Sequence, residues 1–302
     1  MEKEMKFTIS IPTFNRKDLL IRSLNYLESI QFDKTKFEII IVDDGSTDNT
    51  AACIREFKET SELQIQYIYQ ANGGKYTALG KAIRLAKGDF FINTDSDDYL
   101  DKDCLSNFLK IWESESLNDL PNIAGIIGHN GDISSKNLVG DLFPEDIKYS
   151  DPIDMRFKYK VSGDKIPMFK TSILKEYNFP EKIDNLKFIP ESYIFYGISK
   201  KHKFYYSNKI YQYCFYQKEG LSNNIKDYRY NNSLGPFLVY ERYILNYTIK
   251  KSFRGYCRNY INYVCFGIIS RKYSKIKIRS LLDCLLWILG FSLFVKRKYE
   301  NR

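Results

Sequence analysis

Histidine and tryptophan are scarce in this chain, with two copies of each among 302 residues. Only His129 and His202 could join the six cysteines, at 53, 104, 214, 257, 265 and 284, as zinc ligands. Those cysteines include no CxxC pair, which excludes an ordinary structural zinc site or thioredoxin-like motif. Their scatter points to a reduced, intracellular protein. No charged, apolar, small-residue leader opens the sequence, because residues 1–7 pass straight into a strand-like run; secretion by a signal peptide is not expected. The Asn-x-Ser/Thr matches at Asn231 and Asn246 therefore carry no meaning. No apolar run reaches the ~20 residues of a membrane span. Internal repeats and low-complexity segments are also lacking.

Positive charge is plentiful. The formal net charge is +9, and hydrophobic residues make up 44%, enough to bury a core in one large domain with a smaller appendage. Against that charge, carboxylates crowd into one stretch, DFFINTDSDDYLDKD at residues 89–103. Ile-, Val- and Phe-rich runs predict strands over residues 7–11, 39–42, 63–69, 90–93 and 123–127. Helical spacing falls between them, over 18–30, 48–58, 75–86 and 102–115. Such alternation predicts an α/β fold with a mostly parallel central sheet and flanking helices. Further on, short helices are expected at 171–177 and 191–200, an extended Tyr-rich run at 204–216, and long aromatic helices from 228 onward.

In an open α/β sheet, ligands bind beyond the carboxyl ends of the strands, so four loops matter. The first strand ends in IPTFNR (11–16) and the second in VDDGSTDNT (42–50). The third is followed by QANGGKYTALGKAI (70–83), and the fourth ends in NTDSDD (93–98). Asp43 and Asp44 suit a nucleoside's donor edge or ribose hydroxyls, although a turn and helix start would use the same residue types. Gly73, Gly74 and Lys75 offer close backbone approach, a helix start and a cation, which suit a diphosphate. The loop has neither P-loop nor GxGxxG spacing. Asp95 and Asp97, two residues apart where a strand stops, can face one hard cation whose shell phosphate oxygens complete; a solvated acidic turn is the plain alternative. An EF-hand starting at Asp95 fails, since Leu100 and Ser106 stand where Gly and Glu are required.

These pieces, in this order, resemble the family 2 glycosyltransferases, inverting enzymes with the GT-A fold. The resemblance covers roughly residues 5–222, with FIPES (188–192) as a looser match. It implies a catalytic domain over residues 1–225 and a helical, basic C-terminal region over 226–302. It also implies that Pro12, Thr13 and Asn15 line a nucleotide pocket, that Asp44 meets the base with Asp43 beside it, and that Gly73, Gly74 and Lys75 flank base and diphosphate. Asp95 and Asp97 match the family's DxD, with Asp95 nearer the ribose and Asp97 on Mn²⁺ or Mg²⁺; Asp98 is a cap candidate for the next helix. Glu191 falls at the general-base position. One departure is YQKEGLS (216–222), where many relatives carry a metal- or phosphate-reaching His and this chain offers Lys218 and Glu219.

The implied reaction moves a sugar from a nucleotide sugar, UDP-linked by expectation, to a glycan hydroxyl. From residue 252 onward, eleven Lys and Arg face only Asp283 and Glu300. LLDCLLWILGFSLFV (281–295) follows a basic run, a pattern suited to a helix lying in an anionic membrane interface; packing on the catalytic domain or on a second copy of the chain is the alternative. An interfacial tail implies a lipid-linked acceptor, a role in capsular or other surface-polysaccharide assembly, and a place on the cytoplasmic face of the cell membrane. Nucleic acid is not expected as a partner, because carboxylates rather than cations crowd the strand ends and no RRM, KH or helix-turn-helix signature is present. A metal-dependent nucleotidyltransferase is the rival enzyme class, though it normally carries a Gly-rich basic loop where this chain has PTFNRKD.

Overall fold

The computed structural model describes residues 5–215 and 225–300. The chain divides into two units. The first comprises Met1–Asp151, Val161–Lys182 and Lys201–Tyr216, and the second Pro152–Lys160, Ile183–Lys200 and Gln217–Arg302. Two segments earlier than residue 225 thus cluster with the C-terminal helices.

The strands of the first unit are β1 (Phe7–Thr13), β2 (Phe37–Asp43), β3 (Ile65–Tyr69), β4 (Phe90–Asn93), β5 (Tyr99–Leu100), β6 (Ile123–Asp132), β7 (Tyr149–Ser150), β8 (Lys165–Lys170) and β9 (Lys203–Cys214). They form one sheet in the order β3-β2-β1-β4-β8-β6-β9-β5, with β7 also on β9. From β3 to β4 all pairs are parallel. Past β4 the direction changes: β8 runs antiparallel between β4 and β6, and β6 is parallel to β9. Every residue of FTISIPT and FEIIIVD is buried. Parallel strands covered on both faces are buried throughout, so FEIIIVD reads as a nearly continuous apolar run, while FTISIPT also buries the polar Thr8, Ser10 and Thr13.

The covering helices show why their sequences fold so. Lys17–Glu28 buries Leu20, Leu24 and Leu27, spaced one helical turn apart. Cys104–Ser114 likewise buries Cys104, Leu105, Phe108 and Trp112. Phe108 stacks on Tyr211 at 4.0 Å between ring centres, and Trp112 meets Phe90 edge-on at 4.7 Å. Truncating Phe108 to Ala would cost about 3–5 kcal/mol through lost burial and the cavity left behind. This packing fixes the sheet register, which sets Thr13 beside Asp43 at the carboxyl edge.

The second unit is helical, with segments Pro152–Phe157, Ser192–Ile198, Ile225–Asn231, Leu234–Asn246, Phe253–Ile269 and Leu281–Glu300. Its core is aromatic, built around Phe237, Tyr243, Tyr256, Tyr260, Tyr263 and Phe266. Buried tyrosines need partners for their hydroxyls. Tyr260 and Tyr263 donate to the Lys277 and Lys275 carbonyls at 2.8 and 2.6 Å, and Tyr256 donates to Asp283 at 2.8 Å. These bonds pin the connection that precedes the last helix. Among the described residues, no helix is long and apolar enough to cross a membrane.

Candidate active site

The loops after β1, β2 and β3 are latched together by their own polar side chains. Asn15 adopts a left-handed backbone (φ 50°), its N–H donates to Ser46 Oγ at 2.8 Å, and its side-chain oxygen accepts from the Thr47 N–H at 2.8 Å. The Lys17 N–H donates to Asp48 at 3.0 Å. Asp44 binds the glycine loop with both oxygens: Oδ1 accepts from Gly73 N–H at 2.7 Å and from Gln70 Nε2 at 2.8 Å, and Oδ2 accepts from Gly74 N–H at 2.7 Å. Asp43 accepts from the Ser46 N–H at 2.7 Å and the Tyr67 hydroxyl at 2.5 Å. Burial, reinforced by that hydrogen bond, raises the Tyr67 hydroxyl well above its ordinary range.

Glycine is required at the helix start. Gly74 sits at φ 89°, and a Cβ on Gly73 would lie 2.6 Å from Thr77 Oγ1. Helix Lys75–Leu85 begins immediately afterwards, so its first free N–H groups open beside Lys75.

The acidic cluster lies in the turn after β4. Lys75 Nζ is 2.7 Å from Asp95 Oδ1, and Arg16 Nη1 is 2.8 Å from Asp97 Oδ2. The third carboxylate behaves differently. Asp98 accepts from Gln212 Nε2 at 2.9 Å and from Cys214 Sγ at 3.4 Å, so it faces β9 and caps no helix. Burial, followed by the charges of Asp95 and Asp97, pushes its carboxyl up to about 7. On β1 and at the end of β4, Ser10 Oγ, Thr13 Oγ1, Asn93 Oδ1 and Thr94 Oγ1 are buried without an internal hydrogen-bond partner. Such atoms call for an explanation, and ligand contact is one.

A divalent cation fits this donor set in a restricted sense. Among the described residues, no group of three or more His, Cys, Asp or Glu side chains could hold a metal. Asp95 and Asp97 are hard oxygen donors of the kind that suit Mg²⁺, which is usually held through one or two carboxylates with substrate phosphates completing its shell.

The first unit therefore brings together Pro12, Thr13, Asn15, Asp43, Asp44, Gly73, Gly74, Lys75, Asp95 and Asp97. Pro12 and Thr13 are buried in β1. Glu191 belongs to the second unit, where it is exposed at the N-cap position of helix Ser192–Ile198. Lys218 and Glu219 lie outside the described residues. Sequence reasoning missed the pairing of Arg16 with Asp97 and the reach of Gln70 to Asp44, although both residues stand inside the quoted loops. Gln212 and Cys214 left no comparable signal, being remote in sequence from Asp98.

A parallel strand edge with a glycine loop opening a helix and a cation-balanced acidic pair defines an α/β protein whose candidate site lies beyond the carboxyl ends of its strands. The profile of glycosyl transferase family 2 matches residues 8–177, and the chain belongs to that family. It is 29% identical over 181 residues to the poly(ribitol-phosphate) beta-N-acetylglucosaminyltransferase TarS of Staphylococcus aureus, which covers 59% of this chain and 30% of that protein. It is 30% identical over 173 residues to the poly(ribitol-phosphate) beta-glucosyltransferase of Bacillus spizizenii, covering 57% of this chain and 26% of that protein. The chain thus matches under a third of the length of these curated relatives. In fold it is similar to S. aureus TarS 1-349 in complex with UDP-GlcNAc, with a TM-score of 0.63 at 21% identity, covering 97% of this chain and 81% of that one. It is also similar to the mannosyltransferase PcManGT of Pyrobaculum calidifontis in complex with GDP-Man and Mn²⁺, with a TM-score of 0.58 at 17% identity, covering 99% and 83%.

Proposed function

We propose that the protein transfers a sugar, with inversion, from a UDP-sugar to a hydroxyl of a lipid-linked cell-surface glycan, and that it works peripherally at the cytoplasmic face of the membrane. The observation that carries the reading is the pairing of Lys75 with Asp95 and of Arg16 with Asp97 beside the Asp44-bound glycine loop. Cations, amide N–H groups and carboxylates on one strand edge are the parts needed to bind a nucleoside diphosphate and stabilise it as it leaves.

In this reading Thr13 and Asn15 border the nucleoside, while Asp43 and Asp44 shape its pocket by holding the Ser46 turn and the Gly73–Gly74 amides. Lys75 and the start of its helix meet the diphosphate. Asp95 and Asp97 would hold Mn²⁺ or Mg²⁺, which supplies positive charge to the donor's phosphate oxygens. Glu191 takes the proton of the acceptor hydroxyl as it attacks the anomeric carbon opposite the leaving group. One displacement inverts the centre, so one carboxylate base suffices.

The acceptor class draws support from the relatives, whose names specify poly(ribitol-phosphate), and from the net charge of +9, which suits a polyanionic polymer. A thermal-shift panel of UDP-GlcNAc, UDP-glucose and GDP-mannose, with and without Mn²⁺, tests the donor, because ligand binding raises apparent stability by mass action. A Mn²⁺-dependent rise with a UDP-sugar is expected. No rise with any of them overturns the reading.

A further inference from the structure

We propose that the outer face of helix Leu281–Glu300, with the basic connection before it, docks on an anionic lipid bilayer. This deepens the membrane-proximal reading above and rests on it for its purpose, but the surface is argued from the second unit alone.

The helix has two unlike faces. Asp283 is fully buried, Leu286 is 4% exposed, and Gly290 approaches helix Phe253–Ile269 so closely that a Cβ would lie 2.6 Å from Val264. Opposite them, Leu281 is 81% exposed, Leu285 57%, Ile288 59% and Leu289 53%. These four recur one helical turn apart, and Phe291 continues the stripe. Contiguous exposed apolar surface of this kind marks a site of association.

Charge selects the occupant. Arg271, Lys275 and Lys277 are exposed just before the helix, and Lys296 and Lys298 near its end. The helix's one early carboxylate, Asp283, is turned inward and bonded to Tyr256 and to the Arg279 N–H. Glu241 faces Lys275 and Lys277 from helix Leu234–Asn246 and offsets part of their charge. Arg279 and Arg297 donate hydrogen bonds to the Ile244 carbonyl and to Asn262 Oδ1. The exposed surface is an apolar stripe with Arg271, Lys275 and Lys277 before one end and Lys298 near the other.

A second copy laid on that stripe, parallel or antiparallel, would set cations against cations. An anionic bilayer meets both ends favourably and takes up the apolar centre. Spanning is excluded by length, since fifteen apolar positions rise only about 22 Å against a hydrocarbon core of about 30 Å. The helix would lie in the interface plane. Tyr273 and Tyr299, 67% and 70% exposed at opposite ends, are suited to the headgroup level.

The test is co-sedimentation of the 302-residue chain with vesicles of phosphatidylcholine containing about one-third phosphatidylglycerol, against phosphatidylcholine alone. Binding to the anionic vesicles is expected to be roughly tenfold tighter or more, and about fivefold weaker for each cation removed in Lys275→Gln and Lys277→Gln. The double variant Leu285→Asp, Ile288→Asp should abolish binding with an unchanged circular dichroism spectrum, because both positions are exposed. No sedimentation with anionic vesicles, or equal binding by the double variant, overturns the proposal. So does a dimer in sedimentation velocity that the double variant dissolves. Nucleotide-sugar binding is read separately, without vesicles: its failure sinks the transferase reading and leaves docking standing, whereas vesicle failure alone sinks docking.

Discussion

Arg16 Nη1 stands 2.8 Å from Asp97 Oδ2, so the carboxylate expected to meet a metal already has a counter-ion from the loop after β1. Both side chains are partly exposed, and a pair of that kind contributes at most about 1 kcal/mol to folding. Asp97→Asn should therefore leave the melting temperature nearly unchanged. Turnover should fall ~100- to ~1000-fold, the cost of removing one preorganised charge-stabilising group. Initial rates of sugar transfer check this; a loss below tenfold would place Asp97 outside the donor's contacts.

Asp44 gives the opposite expectation. It is buried, and its oxygens satisfy the Gly73 and Gly74 amides and Gln70. Asp44→Ala orphans two buried N–H groups, at about 1–3 kcal/mol each. Chemical denaturation should show a loss of several kcal/mol together with loss of nucleotide binding. Thr13→Val is the contrast, because Thr13 Oγ1 is buried with no internal partner. Removing it should change stability by less than about 1 kcal/mol while weakening nucleotide binding several-fold. Unchanged nucleotide affinity would mean that Thr13 does not line the pocket.

The same residues show what a single sequence can and cannot reveal. β1, β2 and β4 were legible because they are rich in Ile, Val and Phe, β2 and β4 as near-continuous apolar runs and β1 as an alternating FTISI, and the carboxylates at 95 and 97 were legible because such a run stops there. β8 was not. Its KIPMFK carries Pro167, which lacks the N–H of a ladder residue and argues against an interior strand. Pro167 lies one residue beyond the last β4–β8 pair, Ile92 with Met168, but still opposite Ile127 of β6. The antiparallel reversal in mid-sheet follows from that unseen strand. Asp44 announced its strand end but not its partners, since a carboxylate poised for a ligand and one bonded to amides 29 and 30 residues away are the same letter. Pairings such as Arg16 with Asp97, and Asp98 with Gln212, exist only once the chain has folded.

Glu191 sits at a helix start where a glutamate has an ordinary structural use, but its side chain makes no cap hydrogen bond. Glu191→Gln keeps shape and removes basicity. Transfer should fall by ~100-fold or more, as general bases contribute about 10²–10⁴-fold, while thermal shifts with UDP-sugar and Mn²⁺ match wild type. Surviving transfer would put the base elsewhere; lost donor binding would mean that Glu191 acts on the nucleotide.

His129 is fully buried, stacked on Phe143 at 4.3 Å, with Nε2 on Asn208 at 2.9 Å. Burial, only partly opposed by that hydrogen bond and reinforced by Lys165, lowers its pKa from an ordinary value of 6.5 to about 4. The folded state thus resists protonation while the unfolded chain accepts it. Between pH 6.5 and about 4 the unfolded state holds the extra proton, so stability present above 6.5 drains away as pH falls. The slope from one group is at most about 1.4 kcal/mol per pH unit. Carboxylates add their own dependence, which a comparison cancels: urea midpoints of wild type and His129→Gln, measured across that window, should differ by an amount that shrinks as pH falls. Parallel curves would show that His129 titrates normally in the fold, with water reaching Nδ1.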